Sequence, residues 1–420
     1  MTYIIRQATL IQKENSSHNS RVDLLISDGK IEKIANNISE SNAEEIVGDD
    51  LCVSSGWIDM RAGLTDPGYE HKDTLNNILD TAAFSGFTSI VTLPSTTPKI
   101  ADKASVSYLI NASKNHLVNI LPTGIIEDPN SKGDLAEMYD MYESGAVAFT
   151  NGDDEVSNGL LKKALLYTKP FDGIIISHPS DKSLEHGGVV HESSMMVATG
   201  LKMSPSIAEY VSLNQQLEVA KYCDTPIHFS CISTAKSVEI IRDAKKSGQQ
   251  VTSDVSILNL CFTEKELLQF DENFKVYPPF RSEFDRRALI QGIVDGTIDA
   301  ISSNHSPQNI EGKAVEFDYA ESGALSQQFM FSWYEKYLAK DIPMDIFVKS
   351  LTHGPNDILG KKNTNIEEGV MANLTIFDLN RKWQLSQSNN TSKSSNTHEW
   401  EKEQKGKVVG LFNNNCVKLY

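Results

Sequence analysis

A regular alternation of strand and helix patterns between residues 57 and 302 limits the possible folds of this 420-residue chain more than any other feature. Eight short apolar runs have the length and composition of buried strands, at residues 57–60, 88–93, 119–125, 146–149, 173–177, 225–229, 250–255 and 298–302. Amphipathic stretches with apolar residues three and four apart lie between them, including residues 73–85, 134–144, 234–247 and 283–295. Eight such units over about 250 residues predict an α/β fold, a (β/α)8 barrel of the TIM type, rather than an open doubly wound sheet.

Both ends of the chain carry strand patterns without the intervening helices. These β-rich runs occupy residues 3–11, 22–26, 30–34, 372–378, 407–412 and 417–420. Strand-rich segments on both sides of a barrel predict that the two ends pack together into one small flanking β-sandwich. The predicted organisation is an N-terminal part of the sandwich at 1–55, the barrel at 56–364 and a C-terminal part of the sandwich at 365–420.

The charge and composition of the chain exclude several classes of partner. A net charge of −17 argues against nucleic acid or an anionic membrane, because phosphate binding needs a basic surface. No run approaches the roughly 18–20 apolar residues of a membrane span. The five cysteines are odd in number and lack Cys-x-x-Cys spacing, as expected for reduced thiols, so the sequence predicts a cytoplasmic protein.

A series of short motifs extends along nearly the whole chain. They include Gly56-Trp-Ile-Asp-Met, Asp66-Pro-Gly-Tyr-Glu-His-Lys-Asp-Thr, Asn273-Phe-Lys-Val-Tyr-Pro-Pro-Phe-Arg-Ser and Asp295-Gly-Thr-Ile-Asp-Ala-Ile. In order and spacing they resemble the dihydroorotase branch of the cyclic amidohydrolases, whose near relatives are hydantoinases and allantoinases. The resemblance implies a (β/α)8 barrel flanked by a β-sandwich, with one or two zinc ions at the carboxyl ends of the strands. It also implies hydrolysis or closure of a cyclic amide, with dihydroorotate and carbamoyl aspartate as the pair in pyrimidine synthesis.

The resemblance assigns the family's metal ligands to six positions, and most of these positions have changed. They are Arg61, Gly63, a position at or near Asn151, His178, Cys231 and Asn304. Only His178 keeps the family's residue, although the Cys231 side chain could still bind zinc as a thiolate. A guanidinium offers no lone pair and glycine has no side chain, so two histidine ligands are lost. At most two firm donors remain, short of the three protein ligands of a catalytic zinc, and no cofactor is predicted.

The family's substrate positions have changed as well. The arginine that grips the substrate carboxylate corresponds to Thr65, and two asparagines correspond to Ser95 and Tyr277. Asn304 replaces the aspartate that binds metal and shuttles the proton, so no catalytic residue is assigned. The next residue, His305, has two open interpretations, a hydrogen bond to backbone at the strand end or residual ligand recognition. The predicted pocket contains Arg61, Thr65, Ser95, His178, Cys231, Tyr277, Asn304 and His305.

Two of these pocket side chains, and also His228, have alternative interpretations. A buried Arg61 needs a partner, and we expect it to occupy the space of the lost metal and to pair with Asp59 or with the loop at residues 153–154. The alternative is that Arg61 binds an anionic ligand. His228 is interpreted as a packed core histidine, with a catalytic base as the alternative. Cys231 is interpreted as a small buried hydrophobe, with a reactive thiol as the alternative.

Three functions remain open from the sequence. The first is a catalytically silent dihydroorotase homologue of pyrimidine biosynthesis with a structural role. The resemblance implies its partner, because inactive dihydroorotase-like chains join aspartate transcarbamoylase and support its oligomer; a homo-oligomer is also expected. The second is a cyclic-amide hydrolase of dihydroorotase, allantoinase or hydantoinase type with an atypical or metal-free site, in which Cys231 would need His178 or His228 as its base. The third is an ordinary zinc dihydroorotase. The combined loss of ligands and substrate contacts favours the first.

Overall fold

The structure, a computed structural model, describes all of residues 1–420. Its strands are β1 Thr2–Leu10, β2 Arg21–Ser27, β3 Lys30–Ala35, β4 Glu44–Ile46, β5 Leu51–Ser55, β6 Trp57–Ala62, β7 Phe87–Thr92, β8 Asn119–Gly124, β9 Ala148–Phe149, β10 Ile176–Ser177, β11 Val190–His191, β12 Met203–Ser204, β13 Ile227–Phe229, β14 Val251–Ser256, β15 Ala300–Ser302, β16 Leu374–Trp383, β17 Gln404–Asn413 and β18 Cys416–Leu419. Its α-helices are α1 Leu75–Phe84, α2 Lys103–Ser113, α3 Met138–Glu143, α4 Asn158–Thr168, α5 Lys182–Glu185, α6 Ile207–Cys223, α7 Ala235–Lys246, α8 Ile257–Cys261, α9 Glu283–Val294, α10 Ile310–Lys313, α11 Met330–Trp333, α12 Met344–Leu351 and α13 His353–Ile358.

Eight parallel strands form a closed barrel at the centre of the molecule. They pair in two runs, β6-β7-β8-β9 and β10-β13-β14-β15. A bridge between Phe149 and Ile175 joins the two runs, and a bridge between Ala62 and His305 closes the ring. Each strand corresponds to one of the eight apolar runs of the sequence, so the predicted (β/α)8 barrel is confirmed.

Local sequence signals explain where the surrounding helices begin and end. Helix α1 starts after Thr74, whose hydroxyl accepts a hydrogen bond from the Asn77 amide, and α9 starts with a reciprocal capping box between Ser282 and Asp285. Gly86 ends the first helical segment with φ of +93°, a conformation that glycine adopts without a steric penalty. The four amphipathic stretches of the sequence therefore become α1, α3, α7 and α9.

Strands from both ends of the chain form one flanking sheet, in the order β18-β17-β16-β5-β1-β2-β3, with β4 paired to β1. The antiparallel pairing of β16 with β5, which sets Leu374 opposite Ser55, ties the two ends together. This sheet has its own apolar core, which includes Ile5, Val53 and Ile376. The expected joining of the two chain ends into a small β domain is confirmed. None of the helices combines the length and apolar character needed to span a lipid bilayer.

The two ends of the barrel carry different features, polar side chains at one end and two cavities at the other. At the carboxyl ends of the strands, Arg61, Cys231 and Asn304 lie in or directly after β6, β13 and β15. At the amino-terminal ends of the strands there are two cavities of about 400 and 880 Å³, and both are bordered by Thr252 and Ile358. Since barrel enzymes place their chemistry at the carboxyl end, that end is the candidate active site.

Candidate active site

Arg61 occupies the centre of the site. The residue is 1% exposed, its Nε donates to Asn304 Oδ1 at 3.1 Å, and its Nη2 forms an ion pair with Asp153. The expected pairing of Arg61 with the loop at residues 153–154 is confirmed. Asp59, the other expected partner, accepts from the backbone amide of Arg61 at 3.1 Å and does not bond its guanidinium. Burial alone would lower the pKa of Arg61, but nearby Asp153 leaves it above its ordinary value. The site therefore holds a permanent buried cation.

Asn304 and Tyr277 connect Arg61 to the opposite wall of the barrel mouth. The Asn304 amide donates from Nδ2 to the Tyr277 carbonyl oxygen at 2.9 Å. The Tyr277 ring lies 5.0 Å from the His178 ring, and its hydroxyl contacts Lys182 Nζ at 2.5 Å. Burial raises the pKa of Tyr277 to about 12, so the phenol stays protonated. These contacts bring Arg61, Asn304, Tyr277 and His178 into one cluster.

His178, the one predicted ligand position with an imidazole, is a neutral ring. It is buried, and Nδ1 contacts the Ser230 carbonyl oxygen at 3.1 Å. That oxygen can only accept, which places the ring proton on Nδ1 and leaves a lone pair on Nε2. Burial and the charge of Arg61 both lower the pKa of His178. Nε2 can therefore act as one ligand or one weak base.

Cys231 is buried and protonated. Its Sγ contacts Ser302 Oγ at 3.7 Å, and no hydrogen bond joins the thiol to His178 or His228. Burial raises the pKa of the Cys231 thiol well above its ordinary value, more than Arg61 lowers it. Because the thiolate is the nucleophile and the metal ligand, this geometry supports neither role.

His228 forms a buried hydrogen-bonded pair with Asp254, a residue that the sequence analysis did not single out. Asp254 Oδ2 contacts His228 Nε2 at 2.9 Å, and Oδ1 accepts from the Cys231 amide at 3.1 Å and from Ser302 Oγ at 2.6 Å. Burial raises the pKa of Asp254, but the bonds from His228 and Ser302 outweigh it and leave the pKa below its ordinary value. The second ring nitrogen of His228 bonds Thr252 Oγ1 at 2.9 Å. A charged residue inside the apolar run at 250–255 was the available signal for Asp254.

Three other predicted pocket or ligand positions do not join this cluster. Thr65 donates its hydroxyl to the Asp73 carbonyl oxygen at 2.7 Å. Asn151 Oδ1 accepts from the backbone amide of Ile126 at 3.2 Å and from the next amide at 3.1 Å, which holds it in a turn. Ser95 is exposed. None of these three side chains forms a hydrogen bond with the side chain of Arg61, His178 or Cys231.

His305 is buried and forms a hydrogen bond with backbone, the first of the two interpretations given from the sequence. Its Nδ1 accepts from the Ser326 amide at 3.2 Å, and its Nε2 has no hydrogen-bond partner. Burial lowers the pKa of His305 to about 3, so the ring is neutral. The His305 carbonyl oxygen accepts from the Gly63 amide at 2.8 Å, which secures the closure of the barrel.

Comparisons with known proteins place these observations in a family. A family model described as dihydro-orotase-like matches residues 51–237. A dihydroorotase of Caldicellulosiruptor saccharolyticus is 36% identical over 402 residues, which cover 94% of this chain and 93% of the relative. A dihydroorotase of Aquifex aeolicus is 35% identical over 391 residues, 92% of each chain.

The chain belongs to the dihydroorotase family. Among solved structures, the L-hydantoinase of Arthrobacter aurescens superimposes with a TM-score of 0.84 at 21% identity, over 100% of this chain and 98% of that protein. A D-hydantoinase structure gives a TM-score of 0.81 at 18% identity, over 98% and 94%. At these identities the similarity shows the shared barrel fold.

The residues at the metal positions predicted from the sequence do not fit zinc. A Cβ built on Gly63 would lie 2.8 Å from the His305 carbonyl oxygen, so this backbone leaves no room for a side chain there. Arg61 is a cation, Cys231 is a protonated thiol and the amide of Asn304 is already engaged on both sides. Across all 420 residues, no group of three or more His, Cys, Asp or Glu side chains converges in a way that could hold a metal ion.

Proposed function

We propose that this member of the dihydroorotase family does not hydrolyse dihydroorotate and serves an assembly role with aspartate transcarbamoylase. The observation that carries the proposal is the buried guanidinium of Arg61 among the family's metal positions, bonded to Asp153 and Asn304. A cation that belongs to the protein repels zinc and offers it no lone pair. We assign the chain to pyrimidine biosynthesis because its relatives are named dihydroorotase.

The loss of metal has a large chemical consequence. Zinc lowers the pKa of its bound water from about 15.7 to roughly 7, so without it the hydroxide population near neutral pH is ~10⁹-fold smaller. Effective molarities of ~10⁵–10⁸ M from good positioning offset only part of this, and they also need a base. Asp254 is committed to His228 and Ser302, and Cys231 is protonated. His178 Nε2 is the one base that the cluster offers.

The preserved architecture supports a role that depends on shape. The closed barrel and the sheet that joins both chain ends are complete, while the contacts at the barrel mouth are rebuilt. We propose aspartate transcarbamoylase as the partner on the ground of the family relationship, and self-association of the chain alongside it.

Two measurements test this proposal. Zinc content and dihydroorotate turnover are measured on the purified full chain, with the Caldicellulosiruptor saccharolyticus dihydroorotase as the active reference. We expect neither stoichiometric zinc nor turnover; zinc together with turnover would overturn the proposed inactivity. Light scattering of the chain mixed with the cell's aspartate transcarbamoylase at micromolar concentrations should show a joint complex, and two separate species would remove the assembly role.

A metal-free cyclic-amide hydrolase is the second candidate, favoured by one observation. His178 is neutral, and no hydrogen bond uses its Nε2, so a base is available at the barrel mouth. Turnover that survives a chelator and is abolished in His178→Asn would support this function. Turnover that is equal in the variant and the native chain would exclude it.

A further inference from the structure

One terminal nitrogen of Arg61 is left without a partner. Nη2 is paired with Asp153 and Nε with Asn304, but Nη1 is buried and forms no hydrogen bond. A buried donor without an acceptor has lost its hydrogen bonds to water without replacing them, and the cost is larger when the group is charged. Of the two terminal nitrogens of the guanidinium, Nη2 therefore has an acceptor and Nη1 has none.

The carboxylate that neutralises Arg61 is on the solvent side. The Asp153 side chain is 50% exposed, against 2% for Arg61, and Asp153 lies in the loop between β9 and α4. It contacts the guanidinium through Oδ1 alone. Arg61 is thus fixed by the barrel, whereas Asp153 covers it from an exposed loop.

A carboxylate that is not attached to this loop can bind the guanidinium more completely. Planar carboxylates accept two parallel hydrogen bonds from an arginine, an arrangement that would use both Nη1 and Nη2. Arg61 supplies both donors of such a pair, whereas the neighbouring His178 Nε2 carries a lone pair and adds no donor.

We propose that Arg61 is the centre of a binding site for a small carboxylate anion, and that Asp153 occupies this site as a built-in competitor until the ligand displaces it. The site differs from the family's own carboxylate clamp, whose arginine position is Thr65 and is turned toward Asp73. The proposal goes beyond the assembly role. It depends only on the contacts of Arg61, so it stands or falls independently of the transcarbamoylase complex.

Acetate is the direct probe, because it has the shape of the group that Asp153→Ala removes. The thermal unfolding midpoint of the full chain is followed against sodium acetate, with sodium chloride at equal ionic strength as the salt control. Asp154→Ala is the matched variant, since it removes the same charge from the same loop at a side chain that is 70% exposed and paired with Lys99. We expect a saturable rise in Tm with acetate in the native chain. In Asp153→Ala the apparent Kd for acetate should fall at least tenfold, and in Asp154→Ala it should stay within twofold of the native value.

The outcomes separate clearly. The proposal is overturned if acetate and chloride act alike on the native chain, or if the two alanine variants respond to acetate equally. Arg61→Gln should abolish the saturable rise in Tm with acetate, both in the native chain and in Asp153→Ala. If Arg61→Gln does not fold, the comparison of Asp153→Ala with Asp154→Ala still decides the question.

Discussion

Arg61 and Asn304 are joined by a hydrogen bond of 3.1 Å from the guanidinium Nε to the amide Oδ1. The sequence resemblance predicts metal-ligand positions at both residues; here one is a donor and the other accepts from it. The Asn304 amide also donates to the Tyr277 carbonyl oxygen at 2.9 Å, a bond that an aspartate could not make. The two replacements are therefore compatible with each other and incompatible with a metal.

Gly63→Ala should destabilise the fold, because its Cβ would lie 2.8 Å from the His305 carbonyl oxygen. Overpacking of this kind against backbone costs about 1–3 kcal/mol. The measurement is the free energy of unfolding in denaturant. Gly159→Ala in α4 is the control, since nothing lies within 4 Å of a Cβ there, and it should be neutral or slightly stabilising. Equal stability of the two variants would contradict the close approach of β6 to the loop after β15.

Cys231 should resist alkylation in the native protein, because it is 1% exposed and burial raises its thiol pKa. Cys416 is exposed on β18 and should be modified by iodoacetamide under the same conditions. Mass spectrometry of the labelled peptides gives both rates, and labelling of the unfolded chain should modify all five cysteines. Reaction of Cys231 as fast as that of Cys416 would restore the nucleophile interpretation.

His305 should make the protein sensitive to acid. Its folded-state pKa of about 3 lies below the ordinary value of 6.5, so the unfolded chain takes up this proton first as the pH falls. Stability is lost from about pH 6.5 downwards, by about 3 kcal/mol between about pH 7 and about pH 4. His305→Asn, which keeps an acceptor near Nδ1, should lose correspondingly less over that range when unfolding is measured at both pH values. His71→Asn, at an exposed histidine, is the control and should follow the native chain.

Asp254→Asn should be strongly destabilising, because it leaves buried His228 without its carboxylate partner. Removal of one partner from a buried hydrogen-bonded pair costs about 1–3 kcal/mol, and more when a charged group is involved. Asp224→Asn breaks the pair with Lys169 at a side chain that is 93% exposed, and its effect should stay below about 1 kcal/mol. Chemical denaturation of the native chain, Asp254→Asn and Asp224→Asn gives the free energy of unfolding of each. A similarly small loss in both variants would show that the pair of Asp254 with His228 contributes little to stability.

The fold could be predicted from sequence because its signals are local. Each barrel strand is a short apolar run, and each predicted helix has its own apolar period and cap, so neighbouring residues suffice to recognise them. The predicted lack of zinc ligands rests on equally local information, since the side chains of Arg61 and Gly63 cannot donate a lone pair to zinc in any conformation. Family membership follows from motifs that are likewise contiguous in the chain.

The sequence by itself therefore determined the barrel and the flanking β domain. Only the tertiary structure decided which groups pair with the residues at the predicted ligand positions. Arg61 meets Asp153 and Asn304 across separations of 92 and 243 residues, and no local pattern encodes such a choice. The same holds for Asn151, whose amide oxygen accepts from backbone rather than facing the site. Side-chain pairing inside a closed barrel depends on distances between strands, and these distances exist only once the ring has formed.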